Sequence, residues 1–208
     1  MANRPVFIPC AEAPFFSVEN IEFTWNKGLA TCQKKKNIRA IHDGFSRQNP
    51  GKTALEISTK SLQPEGVPLS AFRLKLDGIE VEKRYHAAKV VNHNGSPAGP
   101  FPDLLHAKIP RDAKRDPRLA NPTLGYFHNG KLYPRDIHFY NWLYIQGLKQ
   151  NPEKADALFR YDGFTDIEYG PKGLNCQARA CAIYVSLVRQ GLLDQMDDLD
   201  RFRALFEQ

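Results

Sequence analysis

Apolar and polar residues alternate in short stretches of this chain and recur at helical spacing in longer ones. Alternation predicts strands at 21–25, 54–59 and 164–169. An apolar stripe predicts a helix over residues 30–45, and a strongly apolar stretch predicts another over 137–149. The same spacing predicts three further helices, at 153–161, 175–191 and 197–206.

The segment LSAFRLKLDGIEVEKRYHAAKVV, residues 69–91, changes from strand-like to helical spacing. Its first part predicts a strand with an Asp77-Gly78 turn, and its second part predicts a helix from Val81 onward. Pro and Gly predict irregular structure at 1–20, 94–102 and 121–135. We therefore expect an α+β fold, mostly α, with roughly three or four short strands and about six helices.

The bulk properties of the chain are those of a globular protein. Its 208 residues suit one domain spanning 1–208, and its 42% apolar and 25% charged content is ordinary for such a domain. No apolar run approaches the ~18 residues of a membrane span. The first ten residues, MANRPVFIPC, lack the apolar stretch of a signal peptide. We expect a soluble, cytoplasmic protein with no membrane partner.

The formal net charge of +6 is compatible with a phosphate-rich partner such as nucleic acid or a dinucleotide, although many proteins carry such a charge without one. The four cysteines fit no zinc spacing, and the six histidines form neither an HxH nor an HExxH arrangement. We therefore expect no metal site and no cofactor.

Candidate chemistry lies first in VEKRYHAAK, residues 81–89. Glu82 and Lys89 are seven positions apart and share one face of the predicted helix, at the boundary of core and solvent. A desolvated lysine is a nucleophile toward an anomeric carbon, and a nearby carboxylate can carry protons. The alternative is a solvated Glu–Lys pair on an amphipathic helix, which the spacing alone favours.

A second candidate lies in FTDIEYGPKGLNCQARACAIYVSL, residues 164–187. Asp166 and Glu168 point the same way if this stretch is extended, and Asn175 is placed to cap a helix of small residues. A capped helix N-terminus could bind an anion, or it could be an ordinary core helix. Among the aromatic residues, Trp25 precedes a turn and is the best candidate to border a cleft.

These segments resemble a known family. The run LSAF…LDGIEVEKRYHAAKV is similar to the NADAR signature, which reads approximately LSNF, a strand and a VEHYFQAxK helix. AKRDPRL resembles the family's AKxxGR segment, and LNCQARACAIYVSLVRQGL resembles its closing stretch. The matches cover about residues 68–190, the best-matching core, in the family's order. The usual WG-x-G box is replaced here by YGPKG.

The resemblance implies a YbiA-like single domain with a small sheet. The N-terminal part is similar to the branch encoded beside DarT-type toxins, which ADP-ribosylate DNA bases. That branch implies an antitoxin enzyme, an N-glycosidase and ADP-ribosylhydrolase that removes ADP-ribose from guanine in DNA, with the DarT-type toxin as a possible direct partner. Lys89 then matches the family lysine that forms a Schiff base, and Glu82 matches the acid beside it. Residues expected to bind substrate are Trp25, Ser58, Lys60, Asp166 and Asn175.

Two other functions fit the same residues. One is an N-glycosidase that acts on phosphorylated riboflavin-pathway intermediates. The other is a binding module that sequesters ADP-ribosylated nucleic acid or the toxin without catalysis. The paired Glu82 and Lys89 argue against simple binding, because phosphate recognition does not need a carboxylate there.

Overall fold

The computed structural model describes residues 1–28, 30–169 and 173–207. Within these residues the strands are β1 (Ala2–Pro9), β2 (Phe16–Phe23), β3 (Ala54–Glu56), β4 (Lys75–Leu76), β5 (Ile79–Glu80), β6 (Lys89–His93), β7 (Ser96–Ala98), β8 (Thr123–His128), β9 (Lys131–Pro134) and β10 (Gly163–Thr165). The α-helices are α1 (Thr31–Gln48), α2 (Val81–Ala87), α3 (Pro110–Lys114), α4 (His138–Lys149), α5 (Pro152–Ala155), α6 (Gln177–Arg189) and α7 (Leu199–Ala204). The predicted α+β class is confirmed, but the strands are more numerous than expected.

The N-terminal segment forms an antiparallel hairpin of β1 and β2, in which Ala2 lies opposite Phe23 and Pro9 opposite Phe16. The prediction of an irregular segment at 1–20 is therefore wrong. Proline, which cannot donate to a sheet ladder, masked the strand in the sequence. It is tolerated because the other edge of β1 pairs with β10 at Phe7 alone, so most of that edge needs no donor.

The first sheet has the strand order β2-β1-β10-β3. Its strands β10 and β3 are parallel, with Gly163 beside Ala54 and Thr165 beside Glu56. The strands predicted at 54–59 and 164–169 are therefore confirmed in place, although both end earlier than the alternation indicated. This pairing brings Glu56 next to the start of the loop that carries Asp166.

The second sheet has the order β7-β6-β8-β9, and a two-stranded ribbon of β4 and β5 stands apart from it. The ribbon turns at Asp77-Gly78, as predicted. The predictions of irregular structure at 94–102 and 121–135 are wrong, because both stretches contain strands. Each hairpin turns at an Asn-Gly pair with positive φ at both residues, Asn94-Gly95 and Asn129-Gly130, and this turn signal was available in the sequence.

The helix predicted from Val81 is shorter than expected. It ends at Ala87, and Lys89 is the first residue of β6, where it lies opposite Tyr126 of β8. The prediction that Glu82 and Lys89 share a helix face is therefore wrong. The β-branched Val90 and Val91 favour a strand, and both are buried. The lysine side chain instead extends from the first residue of β6, just after α2 ends.

The core is built around α4 and α6, whose predicted positions are confirmed. Every residue of α6 from Gln177 to Leu187 is buried. The helix packs on one side against β1 and β10 and on the other against α4, so it has no solvent face along most of its length. Small residues such as Ala178 and Ala182 allow this close packing. The N-terminus of α6 thereby lies beside the loop after β10, where Gln177 donates to Asp166.

Candidate active site

A cavity of about 320 Å³ lies where α2, the start of β6, α3, α4 and the loop before α6 meet. Its volume is in the range of small-molecule sites, roughly 300–1,000 Å³. Both predicted catalytic residues, Glu82 and Lys89, face it. The lining residues are Phe72, Glu82, Tyr85, His86, Lys89, Lys114, Tyr140, Asp166, Glu168, Tyr169, Gly173, Asn175 and Gln177.

Lys89 is half-buried, and its ammonium nitrogen lies 4.9 Å from the centre of the Tyr85 ring. Burial lowers the pKa of Lys89 from 10.5 to about 8. The charge of Glu82 opposes this shift, and the charges of Lys114 and Arg135 add to it. No carboxylate of the described residues lies within 4 Å of the ammonium. A fraction of the amine is therefore neutral, and nucleophilic, near physiological pH.

Glu82 is 2% exposed, and one polar and one cationic side chain contact its carboxylate. Its Oε1 lies 3.2 Å from His86 Nε2 and 3.2 Å from Lys114 Nζ. Burial by itself would raise the pKa of Glu82, but the hydrogen bond and charge of His86, together with Lys114, outweigh it and lower the pKa overall. Glu82 is thus a carboxylate at neutral pH and accepts a proton before it can return one.

His86 fixes the orientation of Glu82. Burial lowers the pKa of His86, against the raising effect of Glu82, so the neutral ring donates its Nε2–H to that carboxylate. Its Nδ1 is buried and has no hydrogen-bond partner among the described residues.

Glu56 lies behind the cavity and is fully buried. Its carboxylate accepts hydrogen bonds from the Thr165 hydroxyl at 2.6 Å and from the Ile167 amide at 2.9 Å. The Thr165 oxygen also lies 2.9 Å from His42 Nε2. Burial raises the pKa of Glu56, partly against these hydrogen bonds, and it lowers the pKa of His42 to about 4. The histidine is therefore neutral and supplies no counter-charge to the buried carboxyl.

Asp166 faces the cavity in front of Glu56. Its carboxyl accepts hydrogen bonds from the Glu168 amide at 3.0 Å and from the side-chain amide of Gln177 at 3.3 Å. Burial, reinforced by the charge of Glu56, raises the pKa of Asp166 to about 7. The cavity therefore contains two carboxylates, Glu82 and Glu168, and one carboxyl, Asp166, that can hold a proton near neutral pH.

The other predicted substrate-binding residues are placed unequally. Asn175 lines the cavity, but it is not the cap of α6, because the helix begins at Gln177 and Cys176 occupies the capping position. Lys60 does not line the cavity, and its Nζ lies 3.9 Å from Oε1 of Glu168, which does. Residues 170–172, the greater part of the GPKG turn, lie outside the described residues.

Two further predicted residues, Ser58 and Trp25, also do not line the cavity. Ser58 is buried, and its hydroxyl oxygen accepts a hydrogen bond from the Lys60 amide at 3.1 Å. Trp25 is 36% exposed, and the Arg4 guanidinium lies 5.3 Å from its ring centre. Arg4 in turn donates a hydrogen bond to the carbonyl of Tyr169, a lining residue. Trp25 is therefore connected to the cavity indirectly, through Arg4.

Sequence reasoning assigned no role to His86, Lys114 or Glu56. The i, i+4 spacing of Glu82 and His86 on a helix is the signal that could have identified the first. Lys114 lies in the AKRDPRL segment, but its approach to Glu82 depends on how α3 packs against α2. Nothing in the sequence near Glu56 indicates its contact with residues more than a hundred positions away.

A larger cavity of about 460 Å³ lies on the other side of α2, against Phe127, Trp142 and Leu143. It contains no lysine among its described lining residues, so the smaller cavity is the better candidate for covalent chemistry. Among the residues that the structure describes, no group of three or more His, Cys, Asp or Glu side chains is arranged to hold a metal ion. No helix in the same residues is long and apolar enough to cross a membrane.

The chain matches a known protein family. Residues 2–208 are similar to a family model described as DarT1-associated NADAR antitoxin, which therefore covers nearly the whole chain. No curated protein matches the chain.

Proposed function

We propose, since the chain belongs to the DarT1-associated NADAR antitoxin family, that it is an enzyme that hydrolyses the bond between ADP-ribose and guanine in DNA. It would thereby reverse the damage of a DarT-type toxin in the cytoplasm. The observation that carries the proposal is the half-buried amine of Lys89, whose pKa is about 8, facing one cavity with the buried carboxylate of Glu82.

The first step that this geometry supports is attack by the neutral amine followed by proton transfer. The neutral fraction of Lys89 attacks the anomeric carbon of the ribose. A nitrogen–carbon bond forms as the carbon–guanine bond breaks. The Glu82 carboxylate then accepts a proton from the alkylated amine and passes it to the departing guanine nitrogen. The low pKa of Glu82 keeps it ionised before this transfer, and His86 and Lys114 hold it in place.

The second step releases the sugar. The ribose ring opens as the lysine nitrogen forms a Schiff base, and the ring oxygen takes up a proton from Asp166, which the water of the next step replaces. Water adds to the imine carbon, the carbon–lysine bond breaks, and ADP-ribose leaves with Lys89 regenerated. Asp166, whose pKa of about 7 lets it hold a proton, is suited to donate a hydrogen bond to a ribose oxygen. Asn175, in the segment just before α6, would bind the same sugar.

Reduction of the Schiff base provides a direct test. Borohydride added during turnover of an ADP-ribosylated guanine oligonucleotide should leave an ADP-ribose-derived adduct on the peptide that contains Lys89. Lys89→Ala and Lys89→Met should show neither adduct nor ADP-ribose release. Lys52→Met is the matched control, because Lys52 is exposed and does not line the cavity. Release by a Lys89 variant would remove this lysine from the mechanism.

Two further measurements separate the alternative functions. More than one ADP-ribose released per protein molecule excludes a module that only binds. If the protein releases base from a phosphorylated riboflavin-pathway intermediate and none from the modified oligonucleotide, the intermediate is the substrate.

A further inference from the structure

A third cavity, of about 780 Å³, adjoins the candidate active site and is called the basic groove. Phe72, Lys114 and Glu168 line both, so the two spaces are continuous. The residues that line the basic groove are Thr59, Lys60, Phe72, Arg111, Lys114, Arg115 and Glu168.

The basic groove carries four cationic side chains and one carboxylate, Glu168. The carboxylate is already engaged by Lys34 at 2.8 Å and lies 3.9 Å from Lys60. Arg111 and Arg115, on and just after α3, are exposed and form no ion pair within 4 Å among the described residues. Two guanidinium groups are therefore available to an anion without the loss of an internal partner.

An aromatic ring lies at the junction of the two spaces. Phe72 is partly buried, and the Lys114 ammonium lies 5.3 Å from its ring centre. Cations beside an aromatic ring are the combination with which proteins bind single-stranded nucleic acid, because phosphates pair with the cations and bases stack on the ring.

We propose that the basic groove binds backbone phosphates of the DNA strand that carries the modified base. This inference rests on the proposed function, since a modified nucleotide in the cavity requires a path for the strand that continues from it. The pyrophosphate of ADP-ribose is the other source of phosphate. Arg111 and Arg115 favour the DNA strand as the source. Their exposed side chains can reach phosphates at varied positions along a strand, whereas a bound pyrophosphate occupies one fixed position.

The test is the double variant Arg111→Glu/Arg115→Glu, measured with an unmodified single-stranded oligodeoxynucleotide and, separately, with free ADP-ribose. We expect oligonucleotide affinity to fall at least about tenfold. The slope of log affinity against log salt should flatten by about 1.4, at ~0.7 for each lost phosphate contact on a single strand. Affinity for ADP-ribose should change less than about twofold.

The control is Arg189→Glu/Arg201→Glu, which makes the same charge change at two exposed arginines outside the basic groove. It should retain most of the oligonucleotide affinity and the wild-type salt slope. Thermal unfolding establishes that both variants are folded.

Unchanged oligonucleotide binding in the groove variant overturns the inference, as does equal loss in the control. A loss confined to ADP-ribose also overturns it and assigns the groove to the pyrophosphate. Because neither ligand is hydrolysed, these results stand apart from the enzymatic activity. If the groove binds DNA but the protein does not hydrolyse ADP-ribosylated DNA, only the proposed function is wrong.

Discussion

The ammonium nitrogen of Lys89 lies 4.9 Å from the centre of the Tyr85 ring, and the Tyr85 hydroxyl lies 2.8 Å from that of Tyr126. Tyr126 is also the residue opposite Lys89 in the sheet, so the residue that pairs with the lysine also holds the ring beside its amine. A ring face stabilises an ammonium less than a carboxylate in contact would. The burial of Lys89 is therefore incompletely offset, and its pKa falls.

We expect Lys89→Met to stabilise the protein at neutral pH. Folding lowers the pKa of Lys89 from 10.5 to about 8, so the folded state disfavours the ammonium form. The resulting cost is fully present below pH 8, decreases as pH rises, and is absent above 10.5. Denaturant unfolding should show the variant more stable by about 1–3 kcal/mol at pH 7.

The same measurement on Lys52→Met should show no such pH dependence, because Lys52 is exposed. A Lys89→Met advantage that is constant, or that grows between pH 8 and 10.5, would show that the ammonium is not the source of the instability.

Glu82→Gln should separate proton transfer from amine activation. The charge of Glu82 raises the pKa of Lys89, so its removal should move the pH midpoint of borohydride trapping below about 8. At the same time kcat should fall by about 10²–10⁴, because the proton carrier is lost. Glu80→Gln, which removes a carboxylate paired with Lys83 outside the cavity, is the control. A midpoint that rises would contradict the assigned electrostatics.

Glu56→Gln should lower the pKa of Asp166 from about 7, because the buried negative charge behind it disappears. The pKa should remain above 3.8, since burial, the larger cause, is unchanged. Carbon-13 NMR titration of the aspartate carboxyls measures this directly. The control is Glu65→Gln, whose carboxylate accepts a hydrogen bond from the Tyr161 hydroxyl. It should leave the pKa of Asp166 unchanged. If Asp166 titrates identically in the Glu56 variant, the two groups are not coupled.

Gly99→Ala should disturb Lys89 through the backbone. Gly99 has a φ of 110°, and an added Cβ would overlap the Lys89 carbonyl oxygen. Gly95→Ala is the matched control, because Gly95 has a φ of 88° in the same hairpin but open space around it. Both should lose about 1 kcal/mol or more to backbone strain, and Gly99→Ala at least about 1 kcal/mol beyond that, with a lower kcat.

Equal free energies of unfolding for the two alanine variants, or normal turnover by Gly99→Ala, would show that the β6–β7 contact does not position the lysine.

By itself, the sequence determined the long elements and the principal chemical pair. The strongly apolar stretch of α4 and the small residues of α6 predict helices that pack closely, and the Asp77-Gly78 turn requires no distant partner. Glu82 and Lys89 were also brought together correctly, although for a wrong reason. Two residues seven positions apart lie close together both on one helix and across the end of a helix. The error in secondary structure therefore did not affect the prediction that Glu82 and Lys89 are close.

Only the tertiary structure decided the electrostatics of the site. Lys114 reaches Glu82 through the packing of α3 on α2, and Glu56 reaches the Asp166 loop through a parallel strand pair. A pKa depends on which groups exclude water and which charges lie within a few ångströms. Local periodicity reports the burial of a residue's own element and contains no information about partners a hundred residues away, so these contacts become visible only when the chain is folded.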